Sequence, residues 1–325
     1  MASINDVAKL AKVSKSTVSL VINENGYVSE ETRKKVLDAI EELNYTPNRL
    51  AQGLSKNHSG LIAVVVPDVG HPYFSTLVKS IEQTLAKHEY MTIVCSAKEN
   101  EQTEEWYIEM LNRKIVDGII TAGHTVDLSA YKNSQRPIVS LDRYINESIP
   151  MIQADHRQAA EMAVELLVHA GCKSVAHFVG TPDIDVQSHS FNEILEEELL
   201  KKNIRSTPFY IGHNSFHVSE YQDSARKLFD SGISFDGIVG VDSSILACYQ
   251  EAVNRKIAVP DDLKMVSYDG TFITRLHSPI ITSVVQPIGR IGKCAAEVIV
   301  GLIKKDPSIL MNYTIPVKLQ EGQSC

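Results

Sequence analysis

Several short apolar runs end in residues that can recognise a small polar molecule. His71, Tyr73 and Phe74 follow LIAVVVPDVG, Asp142 closes PIVSLD, Asp242 follows FDGIVGV, and Asp269 ends VSYD. A carboxylate accepts two hydrogen bonds from adjacent hydroxyls, and an aromatic ring stacks on the C–H face of a sugar or the face of a base. Phe216 offers one more ring. A second group lies near the N-terminus. In DVAKLAKVSKSTVSLVIN, helical spacing turns Val18 and Val21 to one side and leaves Lys15, Ser16, Ser19 and Leu20 facing outward. Lys15 suits guanine acceptors, Ser16 either base, and Leu20 a thymine methyl. Ser14, Thr17 and Asn23 suit phosphate oxygens.

Other chemistries lack their motifs. There is no GxGxxG or GxxxxGK[ST] phosphate loop, no GxSxG elbow and no HExxH. Catalysis and a cofactor are therefore not expected. Cys95, Cys172, Cys248, Cys294 and Cys325 are odd in number, widely spaced and without a CxxC pair, so neither a metal site nor a disulfide framework is expected.

The elements that must position these residues fall into two textures. Residues 1–45 read as three helices. Ser3 caps the first, which runs to Ala11 with Val7, Ala8 and Ala11 inward. Lys12-Val13-Ser14 makes a turn, Lys15–Asn23 the second helix, and Ser29 caps a third with Val36, Ile40 and Leu43 inward. Residues 46–60 (TPNRLAQGLSKNHSG) read as a linker with a marginal helix. From residue 61, short strand runs alternate with helices. The strands are Leu61–Pro67, Met91–Ala97, Val116–Thr121, Pro137–Leu141, Met151–Ala154, Ser174–Val179, Phe209–Ile211, Phe235–Val241, Leu263–Tyr268, Thr282–Gln286 and Thr314–Leu319. The helices are Tyr73–Lys87, Glu101–Asn112, Arg157–Ala170, Gln187–Lys202, Val218–Asp230 and Ser243–Lys256. This alternation predicts two α/β lobes with parallel sheets, about 61–155 and 156–280, with a tail of strand, helix and strand. Ligands of such folds sit at the carboxyl ends of the strands.

Composition agrees with a globular chain: 325 residues, 43% hydrophobic and 22% charged. No apolar stretch is long enough to span a membrane. Asp and Lys stand where a secretory leader needs an apolar block, which predicts a cytoplasmic protein. The net charge of −8 is uneven. Residues 1–60 hold 8 Lys+Arg against 7 Asp+Glu, net +1, whereas the remainder holds 24 against 33, net −9. A locally basic head on an acidic body can still approach a polyanion, because charges act over about a Debye length.

DVAKLAKVSKSTVSLVIN, followed by VSEETRKKVLDAIEELNYTPNRLAQGLS, closely resembles the DNA-binding head and hinge of the lactose-repressor (LacI/GalR) family. VDGIITAG, PIVSLDR, VSYDG and TSVVQPIGRIGKCAAEVIVGLI resemble its body. The resemblance implies a helix-turn-helix domain over 1–46, a hinge helix and linker over 47–60, and over 61–325 a two-lobed body like the periplasmic sugar-binding proteins. It further implies that residues 48–55 become helical on DNA, that Leu54 wedges into the minor groove, that Ala51 lies along the groove floor, and that Asn48 meets the backbone. A homodimer on a pseudo-palindromic operator follows. Asp269 matches a position that often binds effector.

Four departures from the family pattern stand out. Lys12 replaces the turn glycine, so Lys12 adopts a positive φ or the turn differs. Leu20 replaces an arginine. Gln187 stands where sugar-binding members carry an arginine, and Val241 where asparagine is common. The implied function is a sequence-specific DNA-binding regulator, a repressor of a carbohydrate-utilisation operon controlled by a sugar or related effector in the cleft. The alternatives are a regulator with a protein co-effector, one with a nucleobase or nucleoside ligand, and, more distantly, a sugar-binding transport protein.

Overall fold

The computed structural model describes residues 2–23, 26–46, 58–96, 101–123, 128–180, 186–211 and 216–325, with 101–104 as backbone only. The chain forms two compact units, Met1–Ser59 and Gly60–Cys325.

The head contains α1 (Ile4–Ala11), α2 (Lys15–Ile22) and α3 (Glu30–Glu42). Each starts at a serine. Ser3 and Asp6 form a reciprocal capping box, Ser14 Oγ accepts from the Thr17 N–H at 3.1 Å, and Ser29 Oγ accepts from the Thr32 N–H at 3.3 Å. These caps matter because the first N–H groups of a helix have no partner within it. Val7, Ala8, Ala11, Val18, Val21, Val36 and Ala39 form the buried core. Alanines at 8 and 11 let the helices approach closely. Of the two turn options, the structure takes the positive φ: Lys12 lies at φ 55°, ψ 42°.

The body holds two six-stranded sheets. The first lobe uses β1 (Leu61–Val66), α4 (Pro72–Lys87), β2 (Met91–Ser96), α5 (Glu101–Asn112), β3 (Gly118–Thr121), α6 (Ser129–Lys132), β4 (Ile138–Leu141) and β5 (Met151–Ala154). The second uses α7 (His156–His169), β6 (Ser174–Val179), α8 (His189–Lys201), β7 (Arg205–Tyr210), α9 (Val218–Asp230), β8 (Gly237–Val241), α10 (Asp242–Asn254), β9 (Lys264–Asp269), α11 (Phe272–Leu276) and β10 (Ser283–Val285). The chain then returns to the first lobe with α12 (Ile288–Lys304) and β11 (Asn312–Ile315), and ends in the second with β12 (Lys318–Gln320). It therefore crosses between lobes three times. The sheet orders are β11-β5-β4-β3-β1-β2 and β12-β10-β9-β8-β6-β7. All pairings are parallel except β12 with β10.

The tail differs from the single strand Thr314–Leu319 expected from sequence. Two strands stand there, one in each sheet, because Pro316 has no N–H to donate and interrupts pairing between them. The strand expected at Phe209–Ile211 starts earlier, at Arg205, because Arg205–Tyr210 pairs in register with β6. The short α6 and α11 carry too little periodicity to be read from sequence. Close packing of α12 on α4 relies on Gly292, where a Cβ would come within 2.8 Å of Ser80 Cβ.

The Lys12 turn generates a measurable expectation. Replacing Lys12 with Gly removes the cost of a left-handed conformation, about 1 kcal/mol. Amides of α1 and α2 that exchange through opening of the head should then exchange about fivefold more slowly. Unchanged or faster exchange would contradict the strained turn.

Candidate functional site

The outward face of α2 carries Lys15, Ser16 and Leu20, all exposed, at its N-terminal and middle turns, while Val18 and Val21 are buried beneath. The hydroxyls here are organised. Ser14 Oγ lies 2.6 Å from Ser16 Oγ and 2.8 Å from Thr17 Oγ1. A hydroxyl has one donor and two acceptor sites, so this network still leaves capacity for phosphate. Asn23 caps the other end of α2, its Nδ2 donating to the Ser19 carbonyl at 2.7 Å. Asn48, Ala51 and Leu54 lie outside the described residues.

In the body, each sheet reverses its strand order once, between β1 and β3 in the first lobe and between β6 and β8 in the second. Loops leaving strands on either side of such a point diverge and open a crevice at the carboxyl ends. Both crevices face one cavity of about 260 Å³. It is near the small end of ligand sites, which run from about 300 to 1,000 Å³. His71, Tyr73, Phe74 and Ala122 line it from the first lobe; Gly180, Gly240 and Val241 line it from the second.

One wall is aromatic and shared by both lobes. The His71 ring lies 5.7 Å from Phe74, 5.5 Å from Phe216 and 6.5 Å from Tyr221, and Phe74 meets Phe216 edge-on at 5.8 Å. Opposite ring edges and faces attract, so these contacts hold the wall together beyond simple burial. Deeper in the second lobe, Tyr268 stacks flat on Phe191, 4.2 Å apart. Both of those rings line the cavity.

Polar groups link the lobes across the same cavity. Asp142 has φ 58° at the end of β4. Its Oδ1 accepts from His156 Nε2 at 2.5 Å, its Oδ2 from the Ser188 N–H at 3.1 Å, and its carbonyl from the Gln187 N–H at 2.8 Å. His156 Nδ1 meets the Tyr268 hydroxyl at 2.6 Å. Asp269 ends β9 at φ 125° and is buried. Gln286 Nε2 donates to its Oδ1 at 2.8 Å. Burial, then the Asp242 and Asp142 carboxylates nearby, pushes the Asp269 carboxyl well above the ordinary range.

The structure thus brings His71, Tyr73, Phe74, Asp142, Phe216 and Asp269 to one cavity. It does not bring the Asp242 and Gln187 side chains there, contrary to the sequence reading. Asp242 is buried at the start of α10 and turns inward because its carboxylate is the acceptor for a tight turn. It accepts from Ser267 Oγ, from the Gly270 N–H at 3.0 Å, and from the Thr271 N–H and Oγ1, each at 2.6 Å. It fixes the backbone that presents Asp269. At Gly270, a Cβ would sit 2.5 Å from Val285 Cγ2, so that turn admits only glycine. Gln187 takes part through its backbone, held against Asp142, and its neighbours Val186 and Ser188 line the cavity instead.

Sequence reasoning missed Phe191, Tyr268 and Gln286. A signal existed for Gln286, which directly follows the carboxyl end of β10 as the chosen aspartates follow theirs. Among the described residues, no group of His, Cys, Asp or Glu could hold a metal ion, and no helix is long and apolar enough to cross a membrane. The five cysteines are free. Burial raises their thiols, Cys172 to about 12, so they are poor nucleophiles.

His71 gives a pH expectation. Desolvation pushes its pKa down to about 4, partly offset by the Asp68 charge. The unfolded chain binds this proton below about 6.5 and the folded chain does not. Its contribution to stability is therefore fully present above pH 6.5 and falls as pH is lowered toward 4, by about 2 kcal/mol between pH 7 and 5. Urea unfolding of wild type and His71→Phe at both values should show the smaller decline in the variant. Equal declines would show that His71 is not held neutral by burial.

Comparison with known proteins places this geometry in a family. A model of the lacI family of bacterial regulatory proteins matches residues 3–48. A model of periplasmic binding proteins and the sugar-binding domain of the LacI family matches residues 59–187, and a periplasmic binding protein-like model matches 164–325. The ribose operon repressor of Halalkalibacterium halodurans is 35% identical over 98% of this chain and 96% of its own length. The sucrose operon repressor of Pediococcus pentosaceus is 34% identical over 98% of each. The structure of the lac repressor dimer bound to operator and the anti-inducer ONPF matches with a TM-score of 0.87 at 23% identity, over 99% of this chain and 98% of that one, and shares the fold. With a three-helix head, a two-lobed body and this identity over nearly its whole length, the chain belongs to the lacI family of bacterial regulatory proteins.

Proposed function

We propose that the chain is a sequence-specific DNA-binding repressor. It acts in the cytoplasm as a homodimer on a pseudo-palindromic operator, under the control of a small polyhydroxylated effector. The observation that carries this reading is the combination of an exposed, polar α2 face on a compact head with a cavity lined by aromatic rings and carboxylates in the body. Relatives named as ribose and sucrose operon repressors support it. Lys15, Ser16 and Leu20 read bases, while Ser14, Thr17, Asn23 and Asn48 fix register on the phosphates. Ala51 and Leu54 of two paired hinges enter the minor groove and kink the duplex.

Regulation follows from marginal stability. A short hinge helix does not persist alone in water, so a modest change in the separation of two hinges shifts its folding. Effector bound between lobes alters that separation. The coupling is of the order of 1–3 kcal/mol, which changes operator affinity about 5- to 150-fold. The chain works by binding and needs no cofactor.

The test starts from an operator selected out of random duplex DNA by the purified protein. Leu20→Arg should move the preference at one base pair of each half-site from thymine to guanine, worth about 1–3 kcal/mol. Leu54→Ala should weaken operator binding at least about tenfold and leave thermal stabilisation by sugars unchanged. Failure to select any symmetric site would overturn the DNA-reading assignment. Operator affinity indifferent to every sugar and nucleoside would shift control to a protein co-effector.

A further inference from the structure

The three aspartates around the cavity are not in equivalent situations. Asp142 has both oxygens engaged, by His156 and by the Ser188 N–H. Asp242 is saturated by four donors and lies outside the lining. Asp269 lines the cavity, is 5% exposed, and among the described residues has a single donor, Gln286 Nε2, on Oδ1. Its charged neighbours are Asp242 and Asp142, both acids. Among the described residues no Lys or Arg lines the cavity. Arg143 is buried yet is not part of the lining. Segments 124–127, 181–185 and 212–215, which adjoin lining residues in sequence, contain neither Lys nor Arg.

A second, independent observation points to a ligand. His71 lines the cavity, is 8% exposed, and neither of its ring nitrogens has a hydrogen-bond partner among the described residues. A buried polar group without a partner is costly, and such groups are normally satisfied. Burial keeps the ring neutral, so it presents one donor and one acceptor rather than a cation. A ligand hydroxyl satisfies either nitrogen. The cavity, lined in part by Phe191 and Tyr268, has at about 260 Å³ room for one ring-sized molecule.

We propose that the cavity takes an aminated monosaccharide, whose protonated nitrogen pairs with Asp269 and whose hydroxyls satisfy His71. This rests on the effector reading given above and narrows it. A desolvated carboxyl beside two other acids, with no Lys or Arg among the described lining residues, gives up its proton to solvent on pairing with an ammonium group, and the resulting charge-assisted bond is about twice as strong as a neutral one. A sugar phosphate or sugar acid would instead place its charge against Asp269 and Asp142 with no cation among the described lining residues to receive it.

Calorimetric titration of the full chain compares each probe with its isosteres. The amines are glucosamine, galactosamine, mannosamine and 3-amino-3-deoxyglucose. Their counterparts are the parent hexoses, the N-acetyl derivatives of the 2-amino sugars and the parent hexose 6-phosphates. At least one amine should bind about a hundredfold more tightly than its parent hexose, with N-acetylation removing the advantage and no 6-phosphate binding. In Asp269→Asn, which keeps the shape and an acceptor for Gln286, amine and parent should bind alike. The wild-type comparison decides the matter even if that variant does not fold. A neutral hexose binding as tightly as its amine, or any 6-phosphate binding, overturns the amine class while the effector reading stands. No binding by any sugar, with operator binding intact, overturns both.

Discussion

Asp142 leaves the end of β4 at a positive φ, and from that one residue two side-chain oxygens and a carbonyl reach the other lobe. Most of the cavity depends on this contact. His156, the first residue of α7, is held at Nε2 by Asp142 and meets Tyr268 at Nδ1. Tyr268 in turn stacks on Phe191 at the start of α8. The Ser188 N–H that Asp142 receives lies just before that same helix. A polar link between lobes and an aromatic floor are thus one assembly. Buried polar groups of this kind are costly unless fully partnered, and here they are partnered to one another across the gap.

Asp242 plays a complementary part. It touches no cavity surface, yet its four donors fix the Ser267–Thr271 turn, and that turn aims Asp269. Asp269 stands at a positive φ of 125°, and the Gly270 and Thr271 N–H bonds to Asp242 hold the backbone that follows it. The acid that lines the cavity is therefore placed by an acid that lies outside the lining. In the head, Ser14 caps α2 while its neighbours Lys15 and Ser16 are exposed.

The fold was largely legible in the sequence, because parallel strands buried on both faces read as apolar runs and the intervening helices show clear periodicity. Met151–Ala154, Glu101–Asn112 and Val218–Asp230 have the limits expected. The tail was misread because Thr314–Leu319 looks like one run, and only the pairing of its two halves with different sheets reveals the break at Pro316. The site was legible where a residue ends a strand, as for Asp142 and Asp269. It was not legible where side-chain direction decides, since Asp242 occupies the same kind of position and turns the other way. Tyr268 and Phe191 escaped because a stacked pair far apart in sequence leaves no local pattern.

The three passages of the chain between lobes carry a consequence for how this body can be divided. The first lobe is completed by α12 and β11, and the second by β12, all drawn from the last part of the chain. No single cut yields two self-sufficient pieces, for a cut after β5 strips the first lobe of its edge strand β11, which stays with the second lobe. Exchange of a whole lobe between relatives requires several junctions at once, whereas the head, a compact unit ending at Ser59, can be exchanged at one. Recombination in such genes should therefore reassort DNA specificity far more readily than it reassorts halves of the sensor.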